Sequence, residues 1–422
     1  MNRIHITIAV CWLAASHCFL LNQARAQEED FIGGEADFSA TFRKGQGLEV
    51  GFPSSGYVFG FAGLAQPGIN IGQTDADTTL ALGTYTRRAY LTFKASDMDR
   101  GIDVLVRANY ISATPLLDAY INYRVNDWLS IRTGQFQNPS NNREMQFYEG
   151  HLAMPERSLL SRTFTETGRE FGVSLTGSFG NSESFMIVPA LAITSGDGIN
   201  SFGSLSNDSD KGGVKFGGRI DAYPFGNFDA TSASDFERNE KPKAVIGWAT
   251  NYNMGASGPV GESHGEWLLF DEDGNEQLPH YLKNHIDILA KWKGATVLAE
   301  YVNAAAYNLD GTFTSASLGT VLMPTEISQY LMLGNAFNVQ GGYLFKNGLQ
   351  LDARFGQTFP EFSQDGALDA SLLEVIDAIG GCLTWHVAEH ALKIQWSAEY
   401  LNYQGRPQAN GWTSTFQTQF LF

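Results

Sequence analysis

Three short runs in this 422-residue chain carry residue types at spacings that could do chemistry. His386-Val387-Ala388-Glu389-His390 has the H-x-x-E-H order of inverted zinc peptidases. That chemistry needs a helix to bring both imidazoles onto one face, and here the five residues join two alternating segments at a turn. Gly261-Glu262-Ser263-His264-Gly265 has the G-x-S-x-G order of a nucleophile elbow, which requires a buried strand before it and a helix after it. Instead it follows Ser257, Gly258 and Pro259 in a polar connection. Asp271-Glu272-Asp273-Gly274-Asn275-Glu276 has the oxygen density of a calcium loop without its twelve-residue spacing, so a solvated acidic loop is the expectation and no metal is assigned. Cys382, between Gly380 and Thr384 in side-chain parity, has no reactive setting. No catalytic residue and no cofactor are expected. The remaining alternative from the enzyme class is a surface hydrolase using Ser263.

The elements that would position these runs read as strands. At the C-terminus, Trp412, Ser414, Phe416, Thr418, Phe420 and Phe422 share one face, opposite Thr413, Thr415, Gln417 and Gln419. Upstream, Leu392, Ile394, Trp396, Ala398 and Tyr400 oppose Lys393, Gln395, Ser397 and Glu399. Ile286, Ile288, Ala290 and Trp292 oppose His285, Asp287 and Lys291, and Ile102, Val104, Val106, Ala108 and Tyr110 oppose Asp103, Arg107 and Asn109. One face suits lipid and the other water. Aromatics gathered at strand ends, with a terminal Phe, match the girdles of transmembrane barrels.

Such segments fall near 57 to 64, 79 to 94, 101 to 111, 116 to 125, 128 to 136, 168 to 179, 183 to 194 and 213 to 222. The second half continues near 242 to 253, 284 to 292, 294 to 302, 334 to 345, 347 to 358, 372 to 386, 389 to 402 and 410 to 422. The expected fold is therefore all-β, an antiparallel transmembrane barrel of about sixteen strands. Tight turns (126 to 127, 180 to 182, 293 to 294, 346 to 348) alternate with long loops (137 to 167, 195 to 212, 254 to 283, 303 to 333), and only 223 to 241 is long where a turn is due. Backbone groups in hydrocarbon must all be paired, so the strands close on themselves, and closure at this number leaves an aqueous channel.

The opening MNRIHITIAVCWLAASHCFLLNQARAQ places Arg3 before an apolar run and Ala24-Arg25-Ala26 before Gln27, the form of a cleaved secretory signal over residues 1–26. Residues 27–56 then form a periplasmic lead into a barrel of 57–422. Two of the three cysteines lie in the signal, which excludes a disulfide framework. The formal charge of −17 argues against a nucleic-acid partner. The expected location is a Gram-negative-type outer membrane, with its lipid as the surroundings.

From residue 87 to 179 the wording becomes specific: RRAYLTF, LLDAYINYRV, WLSIRTGQFQNPSNNRE, PERS and TGREFGVSLTG. In order and spacing this run resembles the phosphate-selective porin O/P family, and the strand plan extends the likeness over nearly the whole mature chain. The resemblance implies a homotrimeric porin whose third external loop, here 137 to 167, folds inward to narrow a passage for small anions, phosphate or polyphosphate. Parity places Arg88, Arg107, Arg124 and Arg132 on adjacent strands of one inner wall, and Lys215 and Arg219 face inward as well. Arg143, Arg157 and Arg162 belong to the loop. Together these nine are the candidate solute-facing residues, with Lys94, Lys291, Arg354 and Lys393 as further inward cations. Asp103, Asp118, Asp221, Asp287, Asp352 and Glu399 share that parity, so arginines can also pair with wall carboxylates. Gln137 stands where members of that family often carry lysine after the GQF motif. A general porin for other solutes on the same barrel is the nearest alternative.

Overall fold

The computed structural model describes residues 38–201, 213–263, 265–317, 319, 321–323, 325–362 and 371–422. The signal segment, the first part of the 27–56 lead, part of the 195–212 loop and His264 lie outside the described residues. Sixteen strands close a ring: β3 (Tyr57–Thr74), β4 (Ala81–Asp97), β5 (Ile102–Asn109), β6 (Leu116–Asn126), β7 (Leu129–Gln137), β8 (Arg169–Gly177), then β10 (Phe185–Thr194), β11 (Lys215–Tyr223), β12 (Lys243–Met254), β13 (His280–Trp292), β14 (Ala295–Tyr307), β15 (Gly334–Leu344), β16 (Leu349–Pro360), β17 (Ile376–Ala388), β18 (Leu392–Tyr403) and β19 (Gly411–Leu421). Each pairs antiparallel with its sequence neighbour, and β19 pairs with β3 from Gly411↔Thr74 to Leu421↔Leu64 to close the wall. Closure leaves no sheet edge to be satisfied by lipid.

Three further strands were not foreseen from sequence. β9 (Phe179–Asn181) continues the line of β8 beyond Ser178 and pairs with β10. β1 (Ser39–Arg43) and β2 (Gly47–Phe52) form a hairpin within the expected N-terminal lead, and β2 pairs with the first residues of β3, where β19 has already ended. There the terminal Phe422 exchanges two backbone hydrogen bonds with Gly63, at 2.7 and 2.9 Å.

The side chains are sorted as alternation requires. Along β13, Ile286 is 56% exposed while its neighbours His285 and Asp287 are 0% and 1% exposed. The outside carries Trp248, Trp292, Val297, Tyr301, Trp396, Phe416 and Phe420, all exposed; the inside buries Lys215, Arg219, Lys283, Asp287, Lys291 and Lys393. A water-soluble domain shows the reverse distribution. So large an apolar exterior requires hydrocarbon around it.

One irregularity matters for the lumen. Ala65↔Ala89 and Pro67↔Thr86 are paired, and Gln66 with Arg87 and Arg88 form a bulge between them. Proline cannot donate to the ladder and is confined to places of this kind. The bulge inverts parity along β4, so Arg87 and Arg88 both face inward.

Candidate functional site

The loop between β7 and β8, residues 138–168 and called L3 below, folds into the barrel. It contains α1 (Arg143–Gln146), a single 3-10 turn (Glu149–His151) and α2 (Leu159–Phe164), whose N-terminus is capped by the Ser158 side chain accepting from the Ser161 amide. A loop buried in this way leaves many backbone carbonyls without water, and each needs a donor. The lumen wall supplies them from several strands. Gln419 donates to Gly150 O at 2.9 Å, Lys393 to Leu152 O at 2.6 Å, Gln395 to Ala153 O at 2.8 Å and Arg354 to Glu156 O at 2.9 Å. Tyr148 packs on the opposite side against Leu64, Tyr90, Leu117 and Leu421. L3 therefore crosses the lumen from β7 to β4 and β18.

Its root is held by charge. Arg143 donates to Asp287 from Nε at 3.0 Å and to Asp221 from Nη1 at 3.1 Å. Arg219 donates to the same two carboxylates, at 2.6 Å to Asp287 and 2.8 Å to Asp221. Two cations and two anions make a closed, neutral quartet. Gly247 lies beneath it, where a Cβ would stand 2.3 Å from Arg219 Nη2 and 2.4 Å from an Asp287 oxygen.

The candidate cations divide by what they meet. Arg107 donates to Asp118 at 2.9 Å with its guanidinium 4.6 Å above the Tyr148 ring. Lys215 is buried against Glu170 and the Gly261 carbonyl. Arg157 turns back into L3, onto Glu149 and the carbonyls of Glu144 and Phe147. Together with Arg143 and Arg219, these five are built into the anchoring of L3 and its neighbours. Arg124 is exposed at the short-turn end of β6, without an ion pair among the described residues.

Arg162 and Arg132 face solvent-filled space, and Arg88 is buried between Gln66 and the Pro155 carbonyl. On the long-loop side of L3 a chamber is bounded by Asn70, Gln73, Thr413 and Thr415 on the wall and by Pro155, Glu156 and Arg162 on the loop. At its floor, Glu156 is held between Arg87 and Arg88, and Glu399 between Arg162 at 2.7 Å and Arg354 at 2.8 Å. Burial would raise the Glu156 carboxyl, but Arg88 and Arg87 hold it below its ordinary range. Glu149 follows the same logic: burial raises it, and Arg169 and Arg157 more than reverse that. Four guanidinium groups thus gather about two carboxylates on this floor, with Glu144 3.8 Å from Arg354 as a third and Asp77 on the chamber wall. On the other side of L3 a second chamber is bounded by Arg132, Ser174, Thr176, Tyr223 and Asn227. There Arg132 stacks 4.4 Å over the Tyr120 ring and has no carboxylate partner among the described residues.

The long connection 224–242, opposite the long loops, also enters the barrel. Phe228 and Ala233 pack with L3 residues Phe147 and Leu152 and with Val245 and Leu289 of the wall. Lys291 donates to the carbonyls of Asp229 and Ser234, at 2.7 and 2.8 Å. At the opposite mouth, Leu269, Leu322, Ile327 and Leu373 from the external loops gather on Leu160 and Phe164 of α2.

The barrel has counterparts among solved structures. The outer membrane channel DcaP of Acinetobacter baumannii superposes with a TM-score of 0.54 at 12% identity, over 87% of this chain and 98% of that one. An anion-selective porin from Comamonas acidovorans gives 0.53 at 10% identity, over 87% and 100%. OprB of Pseudomonas putida gives 0.50 at 9%, over 88% and 95%. The fold is that of the bacterial outer-membrane porins. No protein-family model and no curated protein matches the sequence, so the likeness is one of architecture.

On this porin fold the motif residues take ordinary places. Ser263 donates to Glu166 at 2.9 Å within loops, with no strand-to-helix elbow around it. His386 lies near the end of β17 and His390 in the following turn, so no helix brings their imidazoles together. Asp271 accepts from the amides of Asp273 and Asn275 in an exposed turn. Cys382 is buried beside Thr384. Arg87 was missed from sequence because strict alternation assigns it outward; the signal that could have found it is Pro67, which marks the opposing bulge.

Proposed function

We propose that this barrel is a passive diffusion pore for small anions, with inorganic phosphate or polyphosphate as the solute implied by the sequence resemblance. The observation that carries the reading is the outer chamber floor, where Arg87, Arg88, Arg162 and Arg354 gather about Glu156 and Glu399, with Glu144 3.8 Å from Arg354 and Asp77 on the chamber wall. Guanidinium groups clustered in a confined aqueous space raise the local concentration of anions, and their planar fork matches phosphate and carboxylate oxygens. Arg132, without a carboxylate partner among the described residues, continues the path on the far side of L3, where Asp221 and Asp229 also line the chamber. The name of the Comamonas neighbour, an anion-selective porin, is in keeping with this reading. The neutral hydroxyl and amide wall of Asn70, Gln73, Thr413 and Thr415 supports a second reading, passage of uncharged polar solutes. We also infer a homotrimer, as the resemblance implies, to be checked by the mass of the detergent-solubilised protein.

Reversal potentials across planar bilayers in a salt gradient test the reading. Anion preference is expected in the wild type, and Arg87→Ala with Arg162→Ala removes most of it. Cation preference in the wild type would refute the anion reading. Phosphate that blocks chloride current would support phosphate over a general anion path.

A further inference from the structure

Four rings from three separate parts of the chain meet at the short-turn end of the lumen. His151 is in the 3-10 turn of L3, His386 and His390 flank the turn from β17 to β18, and Phe236 comes from the 224–242 connection. The rings of His151 and His390 stack at 4.4 Å with 19° between their planes. Phe236 meets His386 and His390 edge-on, each at 4.9 Å. His386 has an oxygen at each nitrogen, Gln350 Oε1 at 3.1 Å and the Glu389 carbonyl at 3.0 Å. The stacked pair is different: both nitrogens of His390 and Nδ1 of His151 are buried without a hydrogen-bond partner.

A metal does not explain this arrangement. Face-to-face rings direct their in-plane lone pairs away from a common point, and no cluster of metal-ligating side chains occurs among the described residues. The charges around the stack point elsewhere. Lys393 of β18, Lys291 of β13 and Arg107 of β5 are cationic, His386 of β17 adds a further titratable ring, and Asp229 of the 224–242 connection is the one acid facing it. Asp229 is itself shared with Lys291, at 3.7 Å. His151 has one backbone hydrogen bond, to Thr231 of the 224–242 connection; a proton added at its Nδ1 or on His390 finds no acceptor and several positive neighbours.

We propose that the His151–His390 stack is an acid-operated latch, whose protonation separates the tip of L3 from the β17–β18 turn and from the 224–242 connection packed on it, and widens the short-turn end of the lumen. The latch does not depend on which solute passes. Its pH range follows from burial, which holds His390 well below the usual imidazole range and His151 down to about 4, with Lys393 adding to both. The folded-state values lie below the unperturbed one, so the packed arrangement has its full stability above pH ~6.5 and loses it as pH falls. Each histidine contributes roughly tenfold per pH unit in that window, so the pair shifts the equilibrium about a thousandfold between pH 7 and 5.

Single-channel conductance at pH 7.5 and 5 tests the latch. The wild type is expected to show a larger conductance at pH 5. His151→Phe with His390→Phe keeps the stack without a titratable nitrogen, so conductance at pH 7.5 is expected to stand and the acid response to vanish. Heat-modifiable migration reports folding, and His390→Phe alone serves if the double variant does not fold. A second measurement needs no current: Ser234→Cys in a Cys382→Ala background, buried at neutral pH, is expected to react with a pyridyl disulfide much faster at pH 5 than at 7.5. An unchanged wild-type conductance at pH 5, or an acid response that survives both phenylalanines, would overturn the proposal.

Discussion

The quartet at the root of L3 makes a prediction whose sign, as well as size, can be worked from the structure. Asp287 has no exposed side-chain surface and accepts from Arg143 at 3.0 Å and Arg219 at 2.6 Å. Arg143→Met leaves two buried carboxylates sharing one guanidinium. Asp287→Asn leaves two guanidiniums sharing one carboxylate. Either single change strands a unit of buried charge, at a cost of about 3–5 kcal/mol. The double variant strands none, because Arg219 and Asp221 remain as a neutral pair at 2.8 Å. It is therefore expected to be more stable than the worse single variant, with a coupling free energy of roughly 3 kcal/mol, the upper end for residues in one network. Urea unfolding of the barrel in lipid vesicles, followed by tryptophan fluorescence, gives the four stabilities. Trypsin cleavage within L3 at Arg157 or Arg162 reads its detachment directly. Additivity of the two single costs to within about 0.5 kcal/mol would refute the closed quartet.

Other consequences are simpler. Glu156→Gln removes one of the carboxylates on the outer floor, and the reversal potential in a salt gradient is expected to move toward the anion limit; no movement would place Glu156 off the ion path. Ile286→Arg puts a charge on the outer face in the middle of β13, where it should cost about 2–4 kcal/mol in lipid vesicles, against nearly nothing if that face met water. Gly247→Ala drives a methyl into the quartet and should destabilise the barrel by about 1–3 kcal/mol, measured by the same unfolding experiment.

The strands were legible because two solvents enforce alternation at once. Lipid outside Ile286 and Ile288 forbids polar groups there, and the polar lumen inside His285 and Asp287 excludes a uniformly apolar run, so each strand declares both faces in its sequence. Where a single residue breaks the alternation, the reading slips by one position: the bulge at Gln66 turns Arg87 inward against the rule. The N-terminal hairpin was missed because β1 and β2 are short, and only their pairing to β3 makes them strands. The loops were legible as lengths and not as shapes. L3 could be marked by its span, but its course depends on donors such as Gln419, Lys393 and Arg354, which arrive from strands hundreds of residues away. The same holds for 224–242, which sequence could only flag as longer than its place in the alternation requires.

The inward arginines carry the larger lesson, since parity identifies which side chains face the lumen and says nothing of what they meet there. Arg143 and Arg219 are cancelled by Asp221 and Asp287, Arg107 by Asp118, and Lys215 by Glu170. A buried pair presents little net field to a passing ion, whatever its effect on where L3 sits. A count of basic residues in the lumen therefore overstates the field that a solute experiences. What a solute meets is local: the guanidinium cluster on the outer floor and Arg132 beyond L3. This is also why a chain with a formal charge of −17 can hold an anion path. Many of its acids neutralise the anchors or lie in exposed turns such as Asp271 to Glu276, where water and salt screen them at about 8–10 Å. Selectivity then depends on the few charges left over once the loop has been tied down.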